Sequence, residues 1–371
     1  MSVGNMVIDI IAGARPNFMK IAPIIKALEA RKAEGGALRY RLIHTGQHYD
    51  PRMSGDFFEQ LGIPEPDVNL EVGSGTQAEQ AAGIMVGYEK LLLAERSDLC
   101  LVVGDVTSTM ACAIAAQKLH VPVAHVEAGI RSGDWSMPEE INRMVTDSIT
   151  NWFFTTSEVA NANLRAAGVS DERIFFVGNT MIDTLLGNME RLRAPDFVAE
   201  QGLESGGYFV LTLHRPSNVD ASGHFAQLLA AIGEATRGMP VVFPVHPRTA
   251  KTLRELPDFP ESIRLVDPQP YLEFNWLVKH AKAVITDSGG ITEETTVMGV
   301  PCMTLRTSTE RPETVNVGTN ELLGTDPAAL KPALDRLFAG QWKEGGIPAM
   351  WDGKTAERIV TALEHLLTRQ A

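Results

Sequence analysis

The sequence predicts an α/β protein made of two doubly wound, Rossmann-like domains. Short apolar, β-branched runs alternate along the chain with longer segments of helical periodicity. The runs are apolar throughout rather than at every second residue, the mark of parallel strands covered by helices on both faces. The alternation lapses across Asn179–Gly207, where a charged helix and "GLESGG" intervene, and then resumes. A chain of 371 residues is also too long for one ordinary core.

The first strand series reads Val7–Ala12, Arg41–Thr45, Leu99–Gly104, Val121–Val126, Trp152–Thr156 and Ile174–Val177. The second reads Tyr208–Leu213, Val241–Val245, Ile263–Val266, Ala283–Thr286 and Pro301–Leu305. Phe18, Ile21, Ile25 and Leu28 recur at the spacing of one helix face. These patterns predict an N-terminal domain over residues 1–178 and a C-terminal domain over 179–353. The last helix, Lys354–Leu367, has no strand after it, so residues 354–371 are expected to pack back on the first domain.

A net charge of -13 argues against a broad nucleic-acid surface, although a local basic cluster can still hold a small anion. Cys100, Cys112 and Cys302 show no paired spacing, which points to a reducing cytoplasm. "MSVGNMVIDIIAG" has no basic leader and Asp9 interrupts its apolar run, so no signal peptide is expected. No stretch approaches the ~18 apolar residues of a membrane helix.

Doubly wound sheets bind ligands beyond the carboxyl ends of their strands, and chemistry-bearing residues collect there. "GARPNFMK" places Arg15 and Lys20 at the mouth of a helix, "GDVTST" supplies Asp105, and "HVEAGIRSGD" supplies Glu127. The second series yields His214 in "LHRPSN", His246 in "PVHPR", the segment "DSGGITEE", and "LRTSTERPE" with Arg306 and Arg311. Each has a plainer reading. Arg15 and Lys20 read as solvated charge, the usual fate of such residues, Asp105 as a helix cap, and either histidine as a hydrogen-bonded core residue. Glu139 and Glu140 in "PEEINR" read as acids favouring a helix N-terminus. Glu127, flanked by Val126 and Ala128–Gly129, is harder to dismiss, because a partly buried carboxylate without a task is uncommon. Gly289–Gly290 ahead of a helix reads as an anion cradle of backbone N–H groups.

Several common motifs fail. "GSGTQA" at Gly73 lacks the preceding strand of a dinucleotide fingerprint. "HVE" with "PC" lacks the second cysteine of a zinc deaminase, since "PCMTL" has leucine there. No Walker loop, metal-spaced histidine cluster or serine elbow occurs. Neither a metal nor a nicotinamide cofactor is expected.

"GARPNFMKIAP", "GDVTST", "HVEAGIRSGD", "PEEINR", "VGNTMID", "PVHP", "DPQPYLEF", "TDSGGITEE" and "TERPE" occur in order between residues 7 and 326. Together they resemble the non-hydrolysing UDP-N-acetylglucosamine 2-epimerase family. The resemblance implies the GT-B-like fold of many sugar-nucleotide glycosyltransferases, a homodimer, and UDP in the cleft between domains. It implies interconversion of UDP-GlcNAc and UDP-ManNAc without a cofactor, through elimination of UDP to 2-acetamidoglucal and re-addition. In the family this reaction feeds surface-polysaccharide synthesis, and the resemblance implies the same here. Asp105, Glu127, Glu139 and His214 match the family's catalytic positions, with Glu127 favoured for proton chemistry at C2. Ser288, Gly289 and Gly290 would hold the diphosphate, Glu294 the ribose hydroxyls, and Arg15, Lys20 and Arg311 would neutralise the leaving group. Gln269 and Phe274 match the uracil side, and Arg143 the substrate-binding set. Two other readings stay open. One is the same elimination on a modified sugar such as UDP-2,3-diacetamido-2,3-dideoxyglucuronate. The other is a glycosyltransferase, which leaves the acids without a role, as does a non-enzymatic sensor.

The chain departs from the family pattern in the loops that many bacterial members use to bind UDP-GlcNAc as an activator. "QHYDPRM" keeps Gln47 and His48 but inserts Tyr49, Asp50 and Pro51; Pro216 and Ser217 replace an arginine and a glutamate; Arg248 replaces an asparagine. Loss of charged donors predicts a weakened effector site.

Overall fold

A computed structural model describes residues 6–46, 59–215, 218, 222–245, 250, 253 and 259–368. It divides into two compact units, Met1–Gly187 with Ala349–Ala371, and Asn188–Pro348.

In the first unit, β1 (Met6–Ala12), β2 (Leu38–His44), β3 (Val68–Asn69), β4 (Leu99–Val103), β5 (Val123–Val126), β6 (Trp152–Thr155) and β7 (Ile174–Phe176) form one sheet. Its order is β3-β2-β1-β4-β5-β6-β7, and every described pairing is parallel. The reversal of strand order falls between β1 and β4, which is where a doubly wound sheet opens a crevice for ligands. Helices cover both faces. α1 (Arg15–Ala33) buries Ile21, Ile24 and Leu28 on one of them, while α2 (Gln77–Ala94) and α3 (Thr107–Lys118) bury Ile84, Tyr88 and the alanines of "ACAIAA" on the other. Small residues let α3 lie close to the sheet. α4 (Pro138–Ile149), α5 (Glu158–Ala166) and α6 (Thr180–Asn188) complete this run.

The second unit begins with α7 (Asp196–Glu200). Its sheet comprises β8 (Phe209–Thr212), β9 (Val241–Pro244), β10 (Ile263–Val266), β11 (Ala283–Thr286), β12 (Cys302–Thr304) and β13 (Asn320–Leu322). The order β10-β9-β8-β11-β12-β13 is again parallel, with its reversal between β8 and β11. α8 (Ser222–Ala235), α9 (Tyr271–His280), α10 (Gly289–Met298), α11 (Pro312–Asn316) and α12 (Leu330–Phe338) belong to it. Two apolar clusters, one with Phe209, Ile232 and Leu334 and one with Tyr208, Leu277 and Val278, fill its two sides.

The strands read from the sequence lie where their apolar runs are, within about two residues, except for an earlier start of β2. β3 and β13 were not anticipated; they are edge strands of two and three residues, too short to show a run. The chain passes between units at Gly187, beyond the expected boundary at 178, because α6 is fastened to the first unit. Thr184 Oγ1 donates to the Met19 carbonyl, and Asp183 accepts from the backbone N–H groups of Thr355 and Ala356. Those two residues open α13 (Thr355–Thr368), which buries Ile359, Val360 and Leu363 in the same core as Ile21 and Leu28. Trp351 anchors the returning segment: it is 1 % exposed and its indole N–H donates to Thr156 O at 3.0 Å. Truncating such a side chain to alanine costs about 3–5 kcal/mol.

Candidate active site

The carboxyl ends of β1, β4 and β5 converge at the switch point of the first sheet. After β1, Asn17 sets the start of α1: its side-chain oxygen accepts from the N–H groups of Gly13 and Ala14, and its amide donates to Val103 O at the end of β4. Arg15 is the first residue of this helix. One and a half turns on, Lys20 is buried and its Nζ lies 2.5 Å from Glu127 Oε2. Gly104 makes that approach possible. It has φ +66°, and a Cβ there would stand 2.8 Å from Lys20 Nζ and 3.6 Å from Glu127 Oε2. Glu127 itself sits at φ +69° and is 2 % exposed. A left-handed, buried glutamate costs of order 1–3 kcal/mol in backbone strain, and such outliers collect at functional sites.

Asp105 follows Gly104. Arg143 of α4 reaches it with Nε at 3.0 Å and Nη2 at 2.5 Å, both on Oδ2, while Nη1 of the same guanidinium binds Glu140 at 2.8 Å. Glu140 is the buried acid of "PEEINR". Burial would raise its carboxyl, but the N–H groups of Ser132 and Gly133 and the Arg143 guanidinium outweigh that and hold it below the usual range. Glu139, the acid singled out from sequence, is exposed in the first turn of α4. Beneath them His125, fully buried, lies 2.8 Å from both Asp147 Oδ1 and Gly104 O. Asp147 also accepts from Gly129 N and Arg131 Nη1, so a single buried carboxylate ties α4 to the turn after β5.

In the second unit the switch point lies between β8 and β11. Here the helix start quoted as "DSGGITEE" is α10, with Ser288 as its N-cap. The Ser288 hydroxyl makes no capping hydrogen bond, and a Cβ at Gly290 would meet nothing within 4 Å. Neither φ nor packing demands glycine at 290, so the open backbone there is free for a ligand to approach. A Cβ at Gly289 would come within 2.8 Å of Glu310 Oε1. Partial burial of that carboxylate opposes ionisation, but Arg306 and Arg311 bring it down to about 2. Arg311 Nε donates to Glu293, and both are buried. Glu294 faces Asn275 of α9, whose amide donates to Oε1 at 3.3 Å. Burial, with the Glu293 charge adding to it, pushes Glu294 up to about 7 against hydrogen bonds from Asn275 and Tyr271. Phe274 is half-buried against the apolar cluster around Val198, and Gln269 donates to Asp267 O at 2.7 Å. His214 follows β8, and its Nδ1 lies 2.8 Å from Asp287 Oδ1.

Within the first unit the structure thus groups Lys20, Asp105, Glu127 and Arg143, and within the second His214, Ser288, Gly289, Gly290, Glu294 and Arg311. Lys20 stands with Glu127, and Arg143 with Asp105, pairings that spacing does not disclose. Asp287, His125 and Asp147 were missed, and Glu140 was read only as an acid favouring a helix N-terminus. Asp287 carried a signal, since "TDSGG" puts an acid at a strand end beside the glycine pair. The Arg15 side chain lies outside the described residues, as do Gln47 to Pro51, Pro216, Ser217 and His246 to Arg248. Among the described residues no group of three or more His, Cys, Asp or Glu could hold a metal ion. No described helix is long and apolar enough to cross a membrane.

Two parallel sheets, each with its polar residues at the switch point, define a two-domain, GT-B-like α/β protein. The family model for UDP-N-acetylglucosamine 2-epimerase matches residues 28–364. A UDP-N-acetylglucosamine 2-epimerase of Methanocaldococcus jannaschii is 40% identical over 372 residues, covering 97% of this chain and 99% of the relative. A UDP-2,3-diacetamido-2,3-dideoxy-D-glucuronate 2-epimerase of Pseudomonas aeruginosa is 40% identical over 317 residues, covering 85% and 87%. The crystal structure of the M. jannaschii UDP-GlcNAc 2-epimerase in complex with UDP-GlcNAc and UDP superposes with a TM-score of 0.85 at 41% identity, covering 97% of this chain and all of that one. The chain belongs to the UDP-N-acetylglucosamine 2-epimerase family.

Proposed function

We propose that this protein interconverts UDP-GlcNAc and UDP-ManNAc by eliminating UDP and adding it back. The observation that carries the reading is the buried Lys20–Glu127 pair beside the Arg143-bound Asp105, at the strand ends of one sheet. A transferase needs the diphosphate cradle but has no use for these acids. The hydrogen at C2 is barely acidic, so its removal is coupled to departure of the leaving group. A carboxylate takes the C2 proton, the C–H electrons form the C1–C2 double bond, and the C1–O bond breaks with its electrons passing to UDP. The neutral 2-acetamidoglucal then regains a proton on the opposite face and UDP at C1. Atoms and electrons balance without a redox group.

Glu127 serves proton transfer at C2, with Asp105 and Glu139 as the other acid–base and orienting groups. Ser288 and the N–H groups of Gly289 and Gly290 hold the diphosphate, and His214, Arg15 and Arg311 stabilise it as it leaves. Glu294 accepts hydrogen bonds from the ribose, and Gln269 and Phe274 flank the uracil. A homodimer is supported by the exposed apolar side chains Val86, Leu93, Ile141 and Met144, and a reducing, cytoplasmic setting by three buried free thiols.

The similarity to the P. aeruginosa enzyme favours a second reading, the same elimination on UDP-2,3-diacetamido-2,3-dideoxyglucuronate. Incubation with each UDP-sugar, followed by NMR of the anomeric protons, separates the two. UDP-ManNAc signals growing from UDP-GlcNAc support the first; conversion of the uronate alone would replace it with the second.

A further inference from the structure

β8 and β11 are paired in parallel with Thr212 opposite Thr286, and their hydroxyls lie 2.6 Å apart. The two chains therefore leave the sheet abreast, with His214 beside Ser288, the N-cap of α10. Asp287 stands between them and is fully buried. Its Oδ2 accepts from Arg215 N at 2.9 Å, His214 N at 3.1 Å and Asn218 Nδ2 at 3.1 Å. Its Oδ1 lies 2.8 Å from His214 Nδ1, while the His214 side chain is 63% exposed.

We propose that Asp287 is a positioning residue that acts through His214, fixing its tautomer and aiming Nε2 at the oxygen that leaves C1. This rests on the epimerase reading above. An ionised carboxylate can only accept hydrogen bonds, so the proton between the two side chains belongs to Nδ1. With Nδ1–H committed to Asp287, Nε2 is the ring nitrogen left for a ligand, on a side chain that is 63% exposed. When the ring is protonated, Nε2–H donates to the diphosphate oxygen as negative charge develops there. The same carboxylate also holds the backbone of residues 214 and 215, so it sets both the place and the polarity of the ring. Burial would by itself push the Asp287 carboxyl up; the donors around it, His214 first, hold it below the usual range, in keeping with an acceptor-only role.

The test is a double-mutant cycle on the full chain with His214→Gln, Asp287→Asn and the pair. His214→Gln should lower kcat about a hundredfold, the scale of a lost acid–base group. Asp287→Asn should lower kcat by at least about tenfold, and the double variant should match His214→Gln within about threefold, because residues acting as a unit are not additive. UDP affinity should hold within the same range in Asp287→Asn. Losses that multiply would overturn the proposal, since Asp287 would then act independently of His214. A second readout needs no altered Asp287. In wild-type protein, 15N NMR of the imidazole, assigned by its loss in His214→Gln, should place a proton on Nδ1. A ring protonated only on Nε2 would overturn the proposal whether or not any variant folds. Wild-type protein that leaves UDP-GlcNAc unchanged would instead overturn the function, and the Nδ1 result would still stand.

Discussion

Lys20 Nζ and Glu127 Oε2 lie 2.5 Å apart with both side chains buried, so the lysine is spent on a carboxylate. The family resemblance assigns Lys20 to the departing diphosphate. The geometry gives it a different expected phenotype. Lys20→Met removes one member of a buried ion pair, at a cost of about 3–5 kcal/mol. Turnover should fall steeply while UDP affinity changes little, and adding Glu127→Gln should restore thermal stability without restoring activity. Calorimetry that instead shows UDP binding weakened by about 1.5–3 kcal/mol, with stability intact, would return Lys20 to the diphosphate.

Gly104 offers a milder disturbance of the same pair. An alanine there meets the movable end of Lys20, so the clash itself is relieved cheaply, and the left-handed backbone adds roughly 1–2 kcal/mol. Gly104→Ala should therefore fold with a modestly lower Tm, yet lose far more activity than that change in stability explains. Near-normal turnover would mean that the Lys20–Glu127 contact is dispensable.

Arg311 must be tested with its partner. It is buried against Glu293, so Arg311→Met alone is expected to destabilise the protein by about 3–5 kcal/mol by breaking a buried ion pair. Arg311→Met with Glu293→Gln should recover most of that stability while keeping a weakened affinity for UDP. Undiminished affinity in the pair would place the diphosphate away from Arg311.

Glu294 gives a pH prediction. Its carboxyl is raised from the ordinary 4.5 to about 7 by burial, so folding favours its neutral form. The stabilising contribution is fully present below the unfolded value and is lost as pH rises through about 7. Glu294→Gln should flatten the fall in thermal stability over that window. Binding carries the opposite sign. An ionised carboxylate accepts from both ribose hydroxyls more strongly than the protonated acid does, so UDP-GlcNAc should bind more tightly at pH 8 than at pH 6, with proton release near pH 6.5. Calorimetry in buffers of different ionisation enthalpy that detects no released proton would remove Glu294 from the ribose.

Much of the fold was legible because parallel strands buried on both faces leave long apolar runs, as in Leu99–Val103 and Ala283–Thr286. β3 and β13 escaped notice because two or three edge residues have no period. Strand ends were legible too, so Asp105, Glu127, His214 and the Gly289–Gly290 pair could be picked out. Partnerships were not. Lys20 and Glu127 are 107 residues apart, and Asp105 and Arg143 are 38 apart, distances across which nothing local reports a contact. Glu139 and Glu140 show the limit most sharply. Neighbours on one helix turn look alike in sequence, and only packing reveals that Glu140 is buried on Arg143 while Glu139 is exposed.

The central claim is proton exchange at C2 coupled to loss and return of UDP. The direct measurement is NMR of UDP-GlcNAc incubated with the protein in heavy water, with no NAD added. The account predicts UDP-ManNAc carrying solvent deuterium at C2, with deuterium also appearing in the recovered UDP-GlcNAc. Epimerised product that retains its original C2 hydrogen would contradict it.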